Sequence, residues 1–327
     1  MSHYITVPLN ENGVITDPYI QEELKVACSQ NFGIADVFLY SHGWWTTGMQ
    51  ALADYNRFSV NFADKTLEIA AIEPPPLPRL RQTKAFGVGL HWPSMLSEDT
   101  DSLVNRVEIT SFYTMEKRAD TVGHNGVYAI LRMAIEANQA AKTPLRFHFL
   151  GHSFGCKVVC AALQEIADDE VNGITKALDI NVVLIQAAFE NDGMEVGQEY
   201  ESIPTNIFNA RVLVTRSDRD KALQEQFKTA KMINIFAQNR DRVALGADGP
   251  TDAVKSRFGG CYDLKVTPGF KHGDFQGKNN RLVCADITPL HDANEANGTY
   301  KGDQFGGHHS DINIPELYEL IAAFLFQ

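Results

Sequence analysis

The chain has 327 residues, 44% of them apolar and 21% charged, which excludes wholesale disorder and leaves length for a large core without disulfides or structural metal. Lys and Arg number 29 against 41 Asp and Glu, a formal charge of −12, which argues against sequence-blind nucleic-acid binding and against docking on anionic membranes. Five cysteines without CxxC spacing read as buried thiols in a reducing compartment, with a Cys261–Cys284 bridge left open. The opening MSHYITVPLN lacks the pattern of a signal peptide, and no run approaches the roughly 18 apolar residues of a spanning helix. A cytoplasmic protein without integral membrane association is therefore expected.

In chain order, HYITVPL and GVIT flank Asn-Glu-Asn-Gly and predict a hairpin, followed by a helix over QEELKVACSQ. ADVFLY (Ala35–Tyr40) predicts a buried strand that ends in Ser-His-Gly-Trp-Trp, with a helix over roughly 51–71 behind it. The Pro-rich EPPPLPRL predicts an extended excursion, and AFGVGLHW (Ala85–Trp92) a second strand. The segment 102–141 has helical periodicity, with Val127, Ile130, Leu131 and Ile135 on one stripe. LRFHFL (Leu145–Leu150) is a strand running into Gly151-His152-Ser153-Phe154-Gly155 and a helix. INVVLIQAAF (Ile180–Phe189), ARVLVT (Ala210–Thr215) and the weaker RLVCADIT (Arg281–Thr288) are further strands, and PELYELIAAFLF closes the chain as a helix. Strands alternating with helices predict an α/β protein: a mostly parallel sheet with helices on both faces, in a single domain over 1–327. Residues 237–307 lose periodicity and are expected as an insertion or cap-like excursion over the sheet's edge.

The sharpest local signal is Gly151-x-Ser153-x-Gly155 between a strand and a helix. A serine hydroxyl becomes a nucleophile only when it is held exposed beside a base and near backbone donors, and a crowded strand-to-helix turn needs glycines on either side. The Phe154 amide is one expected oxyanion donor. The second is expected from the His42-Gly43-Trp44-Trp45 loop, at Trp44 with Trp45 as fallback; His42 is expected to brace that loop. For the acid, VLVTRSDRDKAL offers Asp220, preferred, and Asp218; Glu190 and Asp192 are further options. For the base, Gly306-Gly307-His308-His309 offers His309, preferred, and His308. A metal site on His308, His309 and Asp311 lacks characteristic ligand spacing. His291 with Asp292 and His272 with Asp274 are expected as solvated loop residues.

VFLYSHGWW, AFGVGLHWPS, FHFLGHSFGCKVV, VLVTRSDRDKAL and GHHSDI, in that order, resemble the α/β-hydrolase superfamily, and most closely a bacterial branch known as a domain of unknown function. That branch has a strand ending in HG, a strand ending in Trp-Pro-Ser, a G/A-H-S-x-G elbow and Ser-x-x-Asp-x-Ala-Leu. The last corresponds to Ser217 through Leu223, which favours Asp220. After the Ile180 strand the branch carries Pro-Asp where this chain has Ala187-Ala188-Phe189-Glu190. The resemblance implies an α/β-hydrolase fold and a Ser153–His309–Asp220 triad with Phe154 and Trp44 amides as oxyanion hole. It implies acyl-group hydrolysis without a cofactor, and a small-molecule carboxylic ester is the leading expectation for the substrate. Trp45, Trp92 and Phe189, together with Trp44 and Met95, are expected near the nucleophile as an apolar substrate wall. A thioesterase, lipase or peptidase would use the same triad, and a non-catalytic hydrolase-fold interaction protein is the alternative of a different class.

Overall fold

The structure, a computed structural model, describes residues 3–29, 34–72, 77, 79–80, 84–96, 108–138, 145–169, 179–207, 209–233, 243–302 and 306–327. The apolar runs form eight strands: β1 (His3–Pro8), β2 (Ile34–Ser41), β3 (Lys84–His91), β4 (Arg146–His152), β5 (Asp179–Ile185), β6 (Arg211–Arg216), β7 (Cys261–Lys265) and β8 (Leu282–Asp286). They make one sheet in the order β1-β3-β2-β4-β5-β6-β8-β7, and every pairing among the described residues is parallel. Parallel neighbours require crossovers, and helices supply them on both faces. This is the α/β-hydrolase class of fold.

Alternation along β2 shows how the two layers are filled. Val37 and Leu39 enter the core on one face, where α5 (Gly155–Asp168) and the long helix α3 (Glu108–Val122) pack. Helix α3 continues through a wide turn at Gly123–Val127 into α4 (Tyr128–Asn138). Phe38 and Tyr40 enter the other face against Phe58 and Phe62 of α2 (Gly48–Ala70) and the C-terminal helix Pro315–Leu325. A capping box between Thr47 and Gln50 fixes the start of α2, and so the length of the loop after β2.

Several expectations change. β1 pairs in parallel with β3, and the Asn-Glu-Asn-Gly turn after it carries only a single antiparallel bridge, Leu9↔Ile15, so no hairpin forms. β5 ends at Ile185, because Gln186 turns left-handed (φ 46°) and breaks the extended run expected to reach Phe189. Of the stretch 237–307, β7 and β8 extend the sheet beyond β6, so that part builds the edge and does not lie over it. The Pro-rich excursion and residues 102–107 fall largely outside the described residues. All five cysteines are free thiols; Cys261 and Cys284 sit on neighbouring strands without a bridge. Among the described residues no helix is long and apolar enough to cross a membrane.

Candidate active site

Ser153 occupies the turn between β4 and α5 with φ 56°, left-handed backbone that a non-glycine residue adopts at a cost on the order of 1–3 kcal/mol. Neighbouring elements hold it there: its N–H donates to Ile185 O at 3.1 Å, and its carbonyl accepts from Cys156 N at 3.0 Å and Ala188 N at 3.3 Å. A Cβ on Gly155 would stand 2.2 Å from Ser41 O, so glycine is required where α5 passes the end of β2. The Phe154 N–H makes no hydrogen bond among the described residues and lies at the positive end of α5, a ready donor to an anion.

The loop after β2 approaches the serine closely: a Cβ on Gly43 would come within 2.8 Å of Ser153 Cβ. His42 braces this loop. Its Nδ1–H donates to Gly43 O at 2.9 Å, its Nε2 accepts from Trp92 N at 3.4 Å, and Trp92 Nε1 donates to His42 O at 3.1 Å. The two rings stack with centroids 5.4 Å apart. Burial pushes the His42 imidazole down to about 3, so it is neutral. Ser94 ties the loop further on: its hydroxyl accepts from Thr46 N at 3.0 Å and donates to Thr46 O at 2.9 Å, while its carbonyl accepts from Trp45 N at 3.2 Å. The Trp45 N–H is thereby committed. The Trp44 N–H makes no hydrogen bond among the described residues, which favours it over Trp45 as the second donor.

His309 Nδ1 donates to Asp220 Oδ2 at 2.7 Å, and Asp220 is wholly buried. Its other oxygen accepts from Leu223 N at 3.0 Å, so the same carboxylate also caps the following helical turn. The Asp220 and His309 loops are joined by an Asp220↔Gly307 bridge and by His308 N donating to Arg219 O at 3.0 Å. The His309 ring lies against His152, the neighbour of Ser153, with centroids 4.9 Å apart, and His152 Nε2 donates to His309 O at 2.8 Å. Burial, then the adjacent His309, push His152 down to about 3, so it serves this bond as a neutral ring.

The alternatives lie elsewhere. Asp218 is exposed and pairs with Arg216 at 3.3 Å. His308 turns away from His309 toward Asp311 at 3.0 Å, so the histidine pair diverges. Glu190 is 2.8 Å from Lys231 in a charged cavity of about 550 Å3 that Glu116, Asp120, Lys157 and Glu199 also line. Burial raises the Asp120 carboxyl and opposes its ionisation, while these acids hold Lys157 firmly protonated against the effect of its own burial. His291, expected in solvent, is wholly buried: its Nε2–H donates to Asp311 O at 3.1 Å, and its Nδ1 accepts from Ser217 Oγ at 2.7 Å. His272 is half-buried against Glu319 at 2.7 Å.

The expected substrate wall is only partly available. Trp45 is 39% exposed and left-handed (φ 62°), a bulky side chain displayed on the loop after β2. Trp92 is fully buried and stacks on His42, Phe189 is buried edge-on to Tyr200, and Met95 is buried. Phe112, from α3, packs on Trp44 and Phe154 with centroids 5.9 and 5.1 Å away. Nothing in the sequence marks Phe112, which sits in an ordinary helical repeat. Gln186 has no distinguishing signal either, since Asn181 is a second polar residue in the same apolar strand run.

The family described as alpha/beta hydrolase of unknown function (DUF900) matches residues 55–241, more than half of the chain. The matched span includes Ser153, Phe154 and Asp220 and stops short of His309. No curated protein matches the chain. The chain belongs to this α/β-hydrolase family.

Proposed function

We propose that this chain, an α/β hydrolase by family, is a serine hydrolase that cleaves carboxylic esters through an acyl-enzyme on Ser153. The observation that carries the reading is the buried 2.7 Å hydrogen bond from His309 Nδ1 to Asp220, in a loop that also packs on the neighbour of a strained serine. With Nδ1–H committed to the carboxylate, Nε2 is the basic nitrogen of His309. It takes the Ser153 proton as Oγ attacks the ester carbonyl, and the oxyanion that forms is met by the Phe154 and Trp44 amides. Collapse breaks the bond to the alcohol oxygen, which leaves with the proton held by His309. Water then attacks the acyl-enzyme by the same route and releases the acid, so the cycle consumes only ester and water. Each oxyanion donor of this kind contributes about 10²–10³-fold in rate. Trp44 and Trp45 suit a neutral small-molecule ester with an apolar acyl or aryl group, and five free thiols suit a cytoplasmic setting.

A fluorophosphonate probe tests the reading. Labelling at Ser153 in the wild type, lost in Ser153→Ala together with hydrolysis of an aryl-ester series, is expected. A folded wild type that neither labels nor hydrolyses any member of the series refutes it and favours a non-catalytic role for the fold.

A further inference from the structure

Gln186 is wholly buried in the first position after β5, one residue beyond the carbonyl that holds Ser153 N–H. Its backbone is left-handed (φ 46°), and its own N–H is fixed by Thr215 Oγ1 at 3.0 Å. This conformation sends the side chain back across the sheet end, where Nε2 stands 2.8 Å from Asp220 Oδ2 and 3.3 Å from His308 O. Both neighbours are acceptors, so the amide must present its two N–H groups to them. Its oxygen is then buried without a partner among the described residues. An unmatched acceptor beside a strained backbone marks a residue kept for its donors.

We propose that Gln186 is a positioning residue for the Asp220–His309 pair: its amide ties the carboxylate oxygen that holds His309 to the backbone of the histidine loop. The inference rests on the triad reading above and extends it to a residue outside the hydrolase motifs. One Nε2–H group draws charge from Asp220 Oδ2, the atom that His309 Nδ1 also uses, and the other holds the carbonyl of the residue before His309. Donor, acid and loop therefore close a small triangle. The other groups near this pair are His152, against the His309 ring, and His291 on the helix Thr288–Asn297, whose imidazole burial holds below its usual range against the opposing pull of Asp311 and Asp220. His308 faces Asp311 and Glu295 and does not reach into the pair.

Gln186→Met keeps the length of the side chain and removes both donors. Expected are a fall in kcat of about 10–100-fold, as a small misplacement of a catalytic group produces, a KM within about twofold of wild type, and an acid limb of kcat/KM that moves to higher pH. The limb rises because the carboxylate, no longer sharing its charge with the amide, holds the protonated imidazole more strongly. An unchanged kcat and limb would overturn the proposal. So would a limb moving to lower pH, which would mean that His309 had lost Asp220 and that Gln186 merely maintains the loop. If the Met variant does not fold, Gln186→Asn, which tolerates the left-handed backbone but is one methylene too short, is expected to give the same signs. If the wild type proves inert to esters and probe, the hydrolase reading fails by itself. NMR titration of the His309 ring in wild type and variant still decides the tie: an upward shift supports it and coincident curves overturn it.

Discussion

His42 links the loop after β2 to the acid stability of the protein. Both ring nitrogens are committed, Nδ1–H to Gly43 O and Nε2 as acceptor from Trp92 N–H. A second proton would turn an acceptor into a donor that faces a donor, in a site with 3% exposure. The folded protein therefore resists protonation to about pH 3, whereas an unfolded histidine titrates near pH 6.5. A folded-state value below the unfolded one means that the unfolded chain binds the proton first. The associated stability is fully present above pH 6.5 and is lost as the pH falls toward 3. Between pH 7 and 4.5 this amounts to about 2.5 kcal/mol, at about 1.4 kcal/mol per pH unit below 6.5. His42→Asn removes the titration and keeps a side-chain donor near Gly43 O. At pH 7 the variant is expected to be less stable than wild type by about 1–3 kcal/mol, from lost stacking and the orphaned Trp92 N–H. Guanidinium unfolding at intervals from pH 7 to 4.5 should show this gap closing on acidification. Wild-type and variant stabilities running parallel over that window would refute the reasoning.

Asp220→Asn is expected to lower kcat by about 10⁴-fold through the wrong His309 tautomer, while Asp218→Asn leaves kcat within about twofold; ester hydrolysis by the two variants checks this. Ser94→Ala removes both hydroxyl bonds to Thr46 and should cost about 1–3 kcal/mol in unfolding experiments. The same variant should lower kcat with little change in KM, since the Trp44 amide loses its register; an unaltered kcat would detach the loop brace from catalysis. Lys157→Met strands Glu199 and Asp120, which lie 2.8 and 3.2 Å from the ammonium. Stability should fall by about 3–5 kcal/mol at pH 7, with part of the loss recovered at pH 5 as the freed carboxylates take up protons, which a denaturation series measures.

The elbow was legible because it is local. A strand, five residues and a helix suffice to recognise Gly151 through Gly155, and Asp220 and His309 follow at the ends of later elements. What was not legible depends on partners distant in sequence. β1 finds its neighbour about 80 residues away in β3, so a nearby Asn-Gly turn suggested the wrong pairing. Trp92 and Phe189 lie near strand ends, where an aromatic serves equally as wall or clamp, and only the stacked His42 ring and the edge-on Tyr200 decide. β7 is an edge strand with exposed and half-buried residues, which is why its surroundings read as an excursion. Gln186 acts through a backbone conformation that its residue type does not announce.

The bridge between Asp220 and Gly307 has a kinematic consequence. Asp220 and His309 are fastened to each other and also to the surroundings of the serine, Asp220 through Gln186 beside Ile185 and His309 through His152. Any displacement that keeps these ties leaves the Nδ1–H of the imidazole on Asp220.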